Sequence, residues 1–331
     1  LKKEFIGTCD VDLWLGLSPA ERSALILQSS IDPVFFWNSP MLGNFPPWPM
    51  QAKILRDFYK KDNTEQRIYS DMMFIAGRRS GKTTLTGLIA GYEVFRLYLF
   101  KSPQQHYGLG ANQEIQIINV APKYEQAKDT IFAKFKEIMR NSPWMMSQRH
   151  EYVNESIEFK EHNIKVQPFG SNSTTGVGRT AKAFLTDEVS YFTDVEGGRS
   201  AKEVYMELSK STATFLPWNE GVNIAISSVR FDGDFLTSRY YQAQETPKGW
   251  EDTMMIWKPT WELNPNLTMA VLQKEKDKDP EEFARQYGAE PGMAVRTFFE
   301  EKLMDRIIKN NKDNVNWFGE QGSIPNLEKI K

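Results

Sequence analysis

Eight consecutive residues constrain this chain more than any others: Gly77-Arg78-Arg79-Ser80-Gly81-Lys82-Thr83-Thr84. Before them runs an apolar segment, Ile68 to Ala76, that reads as a strand. After them comes a long stretch from about Lys82 to Phe100 that reads as a helix. In a glycine loop between such elements, successive backbone N–H groups point inward. The helix N-terminus adds its positive end, so phosphate binds there. Lys82 would reach the β and γ phosphates of a nucleotide, and the Thr83 hydroxyl would ligate Mg²⁺. Gly77, Ser80, Gly81 and Thr84 complete the candidate cradle. One position departs from the usual G-x-x-x-x-G-K-[ST] spacing, because Ala76 stands where the first glycine is expected. The competing reading is a chance Gly-Lys-Thr turn ahead of a helix, and the strand before the loop argues against it.

The loop's two arginines are unusual, since most phosphate loops carry small residues there. A guanidinium at Arg78 or Arg79 would neutralise charge developing on a γ-phosphate, as an arginine finger supplied in cis. One of the two is expected to brace the loop by pairing with a carboxylate, with Arg79 favoured as the functional one. Downstream, residues 183–188 read Ala-Phe-Leu-Thr-Asp-Glu. A strand ending in acids is the second half of a phosphate-loop site. Asp187 would hold the Mg²⁺ hydration shell and Glu188 would polarise the attacking water, a pairing that favours hydrolysis over phosphoryl transfer to another acceptor. Gln51 follows a Trp-Pro-Met run; its amide would read the adenine edge of ATP, with Trp48 or Phe58 stacking on the base. The alternative is an ordinary glutamine at a helix start. The strand 222–227 ends in Ser227 and is followed by Ser228, where a γ-phosphate sensor would lie; turn-forming serines are the plainer reading.

Composition narrows the class of protein. Among 331 residues, 41 Lys and Arg face 43 Asp and Glu, giving a net charge of −2, which argues against a chain that coats nucleic acid by bulk positive charge. The single Cys9 excludes a disulfide framework and a Cys-based zinc site. His106, His150 and His162 have no ligand spacing. No apolar run approaches the roughly 18 residues of a membrane span, and the start LKKEFIGTCD is not a secretory signal. A soluble intracellular globular protein is expected.

Strands alternating with helices predict an α/β fold, a P-loop NTPase whose mostly parallel sheet carries helices on both faces. Further strands are expected at 115–121 and 222–227, a hairpin at 156–169, and helices at 123–140, 199–212, 233–244, 268–277 and 281–288. Residues 1–66 read as a helical N-terminal lid on the adenine side. In that stretch a Ser18/Glu21 capping box opens one helix, Pro49 opens another, and the proline-rich stretch from Phe35 to Trp48 is expected to be irregular. Residues 67–258 form the ATPase core, 259–292 the closing helices, and 293–331 a linker or stub.

Taken in order, four elements resemble the large terminase subunit of tailed bacteriophages. They are Pro47-Trp48-Pro49-Met50-Gln51, the arginine-bearing loop, the run Ala183 to Phe192 around Asp187-Glu188, and Ile226-Ser227-Ser228. Trp261-Glu262-Leu263-Asn264-Pro265-Asn266 and Glu281 to Gly288 look like the end of that family's motor domain, so the resemblance covers about 32–300. It implies an ATP- and Mg²⁺-dependent motor that pumps double-stranded DNA through a portal into a procapsid. The motor would work as a homo-oligomeric ring, commonly a pentamer, with a monomer in isolation as the alternative. It would act beside a small terminase subunit in the cytoplasm of an infected bacterium. No membrane is involved. The resemblance also implies a trans-acting arginine finger, for which Arg179 in Thr175 to Thr180 is the candidate, a salt bridge inside the domain being the alternative. The family's nuclease domain would follow residue 331, so no nuclease activity is expected of this chain. A superfamily-two-like helicase or translocase ATPase, and a nucleotide-dependent switch with little turnover, are the alternative readings. A GTPase is disfavoured because no Asn-Lys-x-Asp base reader follows the sheet.

Overall fold

Three segments, DMMFIA, IQIINVA and VNIAIS, are apolar at nearly every position, the pattern of strands covered on both faces. They are central in the sheet of the computed structural model, which describes residues 9–171, 178–194 and 200–292. Eight strands form one sheet: β1 Asp71–Ala76, β2 Ile115–Ala121, β3 His150–Val153, β4 Ser156–Phe159, β5 Ile164–Gly170, β6 Ala181–Asp187, β7 Val222–Ser227 and β8 Thr253–Lys258. Their order is β3-β4-β5-β2-β6-β7-β1-β8. From β5 to β8 every pairing is parallel, and β3 and β4 join antiparallel at one edge.

The period of two along each central strand sorts its side chains between two cores. Met72 and Phe74 of β1, Ile117 of β2 and Ile224 of β7 join one core; Met73, Ile75, Ile118 and Ala225 join the other. The phosphate-loop helix, Lys82–Tyr98, packs in the first core with the N-terminal helices. Phe36 of the helix Pro33–Asn38 meets Phe95 with ring centroids 4.5 Å apart, and Trp37 lies against Gly91. On the other face, Phe192, Val204, Tyr205 and Leu236 cover the sheet.

Most expected elements are present, and the differences have local causes. Asp32-Pro33 does end the first long helix, Pro19–Ile31, but it also begins the helix Pro33–Asn38 in the stretch expected to be irregular. Proline at the first helical position sacrifices only an N–H that has no partner there, and the Asp32 carboxylate accepts from Val34 N at 2.9 Å. The expected helix 123–140 is interrupted by a π turn at Lys128–Phe132. The expected helix 199–212 is α-helical over Ala201–Leu208 and continues as 3₁₀ to Trp218. Sequence reading missed β3 and β8, both edge strands. β8 carries mixed burial and pairs only with β1. Residues 293–331, expected to be a linker or stub, lie outside the described residues.

Candidate functional site

Parallel register brings the carboxyl ends of β1, β6 and β7 side by side, with Ile75 opposite Ser227 and Asp187 opposite Ile226. The residues that follow therefore meet: the loop after Ala76, Glu188 after Asp187, and Ser228 after Ser227. Lys82 Nζ lies 3.4 Å from Glu188 Oε1 and donates to Ser228 Oγ at 3.1 Å. Glu188 Oε2 accepts from Ser228 N and from Ser227 Oγ, each at 3.1 Å. Beside this cluster opens a cavity of about 920 Å³ whose lining includes Arg78, Arg79, Lys82, Lys123, Glu188 and Tyr191.

The two adjacent carboxylates are in different environments. Burial, with the Glu188 charge next to it, pushes Asp187 up to about 6 against the pull of Lys82. Burial also pushes Glu188 up, but Lys82 and the Ser228 and Ser227 hydrogen bonds outweigh it and hold Glu188 below the usual carboxylate range. Among the described residues Asp187 Oδ1 and the Ser80 hydroxyl are buried without a hydrogen-bond partner of good geometry, and the Thr130 hydroxyl beside Asp187 pulls its carboxyl down only in part. An unpartnered buried carboxylate oxygen beside a phosphate loop fits a hydrated cation. Among the described residues no group of three or more His, Cys, Asp or Glu could hold a metal. That suits an ion whose remaining ligands are phosphates and water.

The loop is gripped from two sides. On one, Gln51 accepts from Trp48 N at 2.9 Å and donates to Gly81 O at 3.1 Å. Gly81 has φ +85°, and a Cβ there would come 2.7 Å from both Gln51 Nε2 and the Trp48 ring. The amide still has one N–H and one lone-pair direction beyond these two bonds. Phe58, named as a stacking partner, is fully buried in the core, and Trp48 lies half-buried against the loop. On the other side, Arg78 N donates to Gln286 O at 2.6 Å, Thr260 Oγ1 donates to Arg78 O at 2.8 Å, and Asn264 Nδ2 donates to Arg79 O at 2.8 Å. A Cβ on Gly77 would sit 2.3 Å from Thr260 Oγ1 and 2.4 Å from Tyr287 O, so only glycine fits. Sequence reasoning missed this grip. Its one signal was the pair of motifs around Trp261 and Phe283, whose rings stack with centroids 5.7 Å apart.

Both Arg78 and Arg79 are exposed on the cavity wall. Neither guanidinium has a carboxylate partner within ion-pair distance among the described residues. Arg79 has φ +59° and Glu188 φ +50°, left-handed conformations that non-glycine residues seldom adopt. Thr83 and Thr84 are half-buried at the start of the loop helix. Arg179 is not part of this cluster. It precedes β6, at the opposite end of that strand from Asp187, with its guanidinium 5.2 Å from the Phe169 ring and Nη1 3.4 Å from Gln116 Oε1. Residues 172–177, which hold the first half of its expected motif, lie outside the described residues.

Among known families, the model described as "Uncharacterized protein MJ0330, N-terminal P-loop domain" matches residues 18–289. No curated protein sequence matches the chain. Among solved structures, the large terminase of bacteriophage HK97 superposes with a TM-score of 0.55 at 15% identity, covering 78% of this chain and 54% of that one. The large terminase of a thermophilic bacteriophage superposes with a TM-score of 0.52 at 12% identity, covering 73% and 52% respectively. At such identity the likeness is one of fold. The chain spans about half the length of these two proteins.

Proposed function

The chain belongs to the P-loop family matched over residues 18–289, and from that premise we propose that it is an ATP-hydrolysing motor domain of the kind that packages viral DNA. The observation that carries the reading is the contact of Lys82 with Glu188, 3.4 Å apart at the wall of a cavity that also presents Arg78, Arg79 and Lys123. The cavity's four cations, Arg78, Arg79, Lys82 and Lys123, suit a polyphosphate even beside the carboxylates of Glu275 and Glu282, and a carboxylate held ionised within it suits a general base.

In this mechanism the backbone of Gly77 to Thr84 cradles the phosphates. Arriving phosphate draws Lys82 off Glu188, which frees the carboxylate to accept a proton from the attacking water. Lys82 and Arg79 then meet the negative charge that spreads over the phosphoryl oxygens, with Arg78 beside them. Thr83 and Asp187 would hold Mg²⁺, which supplies charge neutralisation at the β and γ phosphate oxygens. Ser227 and Ser228 orient Glu188 and respond to the γ-phosphate through it. Gln51 uses its remaining donor and acceptor on adenine while it braces the loop. Arg179, outside the Lys82–Glu188 cluster of its own subunit, serves a neighbour's site in a ring.

The likeness of fold to two phage terminases supports the packaging assignment. Double-stranded DNA, a portal on a procapsid, a small terminase subunit and a pentameric ring are the partners this assignment names, in the cytoplasm of an infected bacterial host. Among the described residues no helix is long and apolar enough to cross a membrane. Substituting Glu188→Gln tests the core of the reading. The variant should bind ATP with near-unchanged affinity and lose about 10²- to 10⁴-fold in turnover. ATPase activity within a few-fold of the parent protein would remove Glu188 from the mechanism.

A further inference from the structure

At the other end of β1 from the phosphate loop, a second cavity of about 630 Å³ is lined by Arg56, Lys60, Lys61, Arg67 and Arg96, with the carboxylates Asp32, Glu65 and Glu220 among them. It shares no lining residue with the phosphate-loop cavity. Six residues of strand separate the two ends of β1, or roughly 20 Å.

Arg67 is the informative residue. It is only 4% exposed, its Nη2 donates to Tyr69 O at 2.8 Å, and its guanidinium lies 4.8 Å from the Phe58 ring and 4.9 Å from the Tyr59 ring. Among the described residues its Nε and Nη1 are buried with no hydrogen-bond partner, although Nη1 lies 3.9 Å from Glu93 Oε1. Idle N–H groups on a buried cation are costly and rare in native proteins.

The charges around it do not balance. Behind the cavity Arg67, Arg96 and Lys182 face two carboxylates, Glu93 and Glu220. At the rim Asp32 holds Arg56 at 2.8 Å and Glu65 holds Lys61 at 3.5 Å, which leaves the exposed Lys60 with no carboxylate of its own among the described residues. Cations therefore outnumber carboxylates by two at this one place, in a chain whose net charge is −2.

The geometry points to a second anion site here, built for a phosphate group that accepts from the idle N–H groups of Arg67 and is met at the rim by Lys60. A charge excess of two matches a phosphate dianion, and a guanidinium presents adjacent N–H groups in the fork that phosphate oxygens accept. The cavity is larger than one phosphate, so the group can be free or carried on a longer molecule such as a DNA strand. The inference does not depend on the ATPase reading.

The test uses the full chain carrying Lys82→Ala, which silences the phosphate loop. Inorganic phosphate binding is measured by calorimetry at low salt, and binding of a short DNA duplex by fluorescence anisotropy. Arg67→Met, added to that background, should weaken the phosphate-bearing ligand about tenfold or more, the loss expected for hydrogen bonds to a charged group. Lys60→Glu, at an exposed position that poses no risk to folding, should weaken it several-fold. If the source is the DNA backbone, Lys60→Glu also lowers duplex affinity and flattens its salt dependence. If the source is a free anion, phosphate affinity falls alone. Phosphate and duplex affinities that both ignore Lys60→Glu and Arg67→Met would overturn the proposal, leaving an ordered water as the partner of Arg67.

Discussion

Glu188 sits in a left-handed backbone conformation, and such a conformation costs a non-glycine residue about 1–3 kcal/mol. Three contacts, from Lys82, Ser227 and Ser228, hold it there, so the strain is tied to the placement of the carboxylate. Its neighbour Asp187 carries a different burden. The folded protein keeps Asp187 protonated up to about pH 6, whereas an unfolded chain releases that proton near 4. The stability that comes from protonation is therefore complete below about pH 4 and lost as pH rises through 6. Without Mg²⁺, Asp187→Asn should stabilise the protein at pH 8 by on the order of 2 kcal/mol and change little at pH 4. Thermal melts of both proteins at the two pH values check this. An equal melting temperature at pH 8 would show that the buried charge is compensated.

At the scale of elements, the site depends on segments distant in sequence that close on one loop. Thr260 and Asn264 hold the carbonyls of Arg78 and Arg79 across 182 and 185 residues of chain. Asn264→Ala removes the bond that steadies the left-handed Arg79. If Arg79 meets the γ-phosphate, the variant should lose about tenfold in kcat while ADP, which lacks that group, binds within about threefold of the parent. Steady-state kinetics with ADP inhibition separate the two. The loop helix is also tied to the sheet by charge. Lys182 of β6 donates to Glu93 at 2.8 Å, and both side chains are fully buried. Lys182→Met takes one hydrogen-bonded cation from Glu93 and leaves it Arg96 and the Tyr59 hydroxyl, so chemical denaturation should show a loss of about 1–3 kcal/mol.

For the whole molecule, β6 stands between Arg179, which precedes it, and Asp187, which ends it, a span of about 23 Å for seven residues. The Arg179 guanidinium lies against Phe169 and Gln116 and outside the Lys82–Glu188 cluster. Mixing Arg179→Ala subunits with Lys82→Ala subunits, which hydrolyse nothing but keep Arg179, should restore part of the ATPase activity. No recovery at any mixing ratio would count against a trans role.

Local sequence determined a good deal of this molecule. Unbroken apolar runs specify strands buried on both faces, and the glycine loop between strand and helix marks the candidate phosphate site, because those signals depend on neighbouring residues alone. The sequence also marked Asp187, Glu188, Ser227 and Ser228 through their positions at strand ends. What it could not determine was their register. Only parallel pairing of β1, β6 and β7 brings Ser228 against both Lys82 and Glu188, and hydrogen bonding between strands is a long-range fact. The same holds for the loop's second grip: the motif around Trp261 marked the segment, but not that Thr260 and Asn264 bond the loop 182 and 185 residues away. Gln51 shows the division most plainly: its amide chemistry was legible and its oxygen caps its own helix at Trp48 N, but tertiary packing committed its donor to the backbone of Gly81.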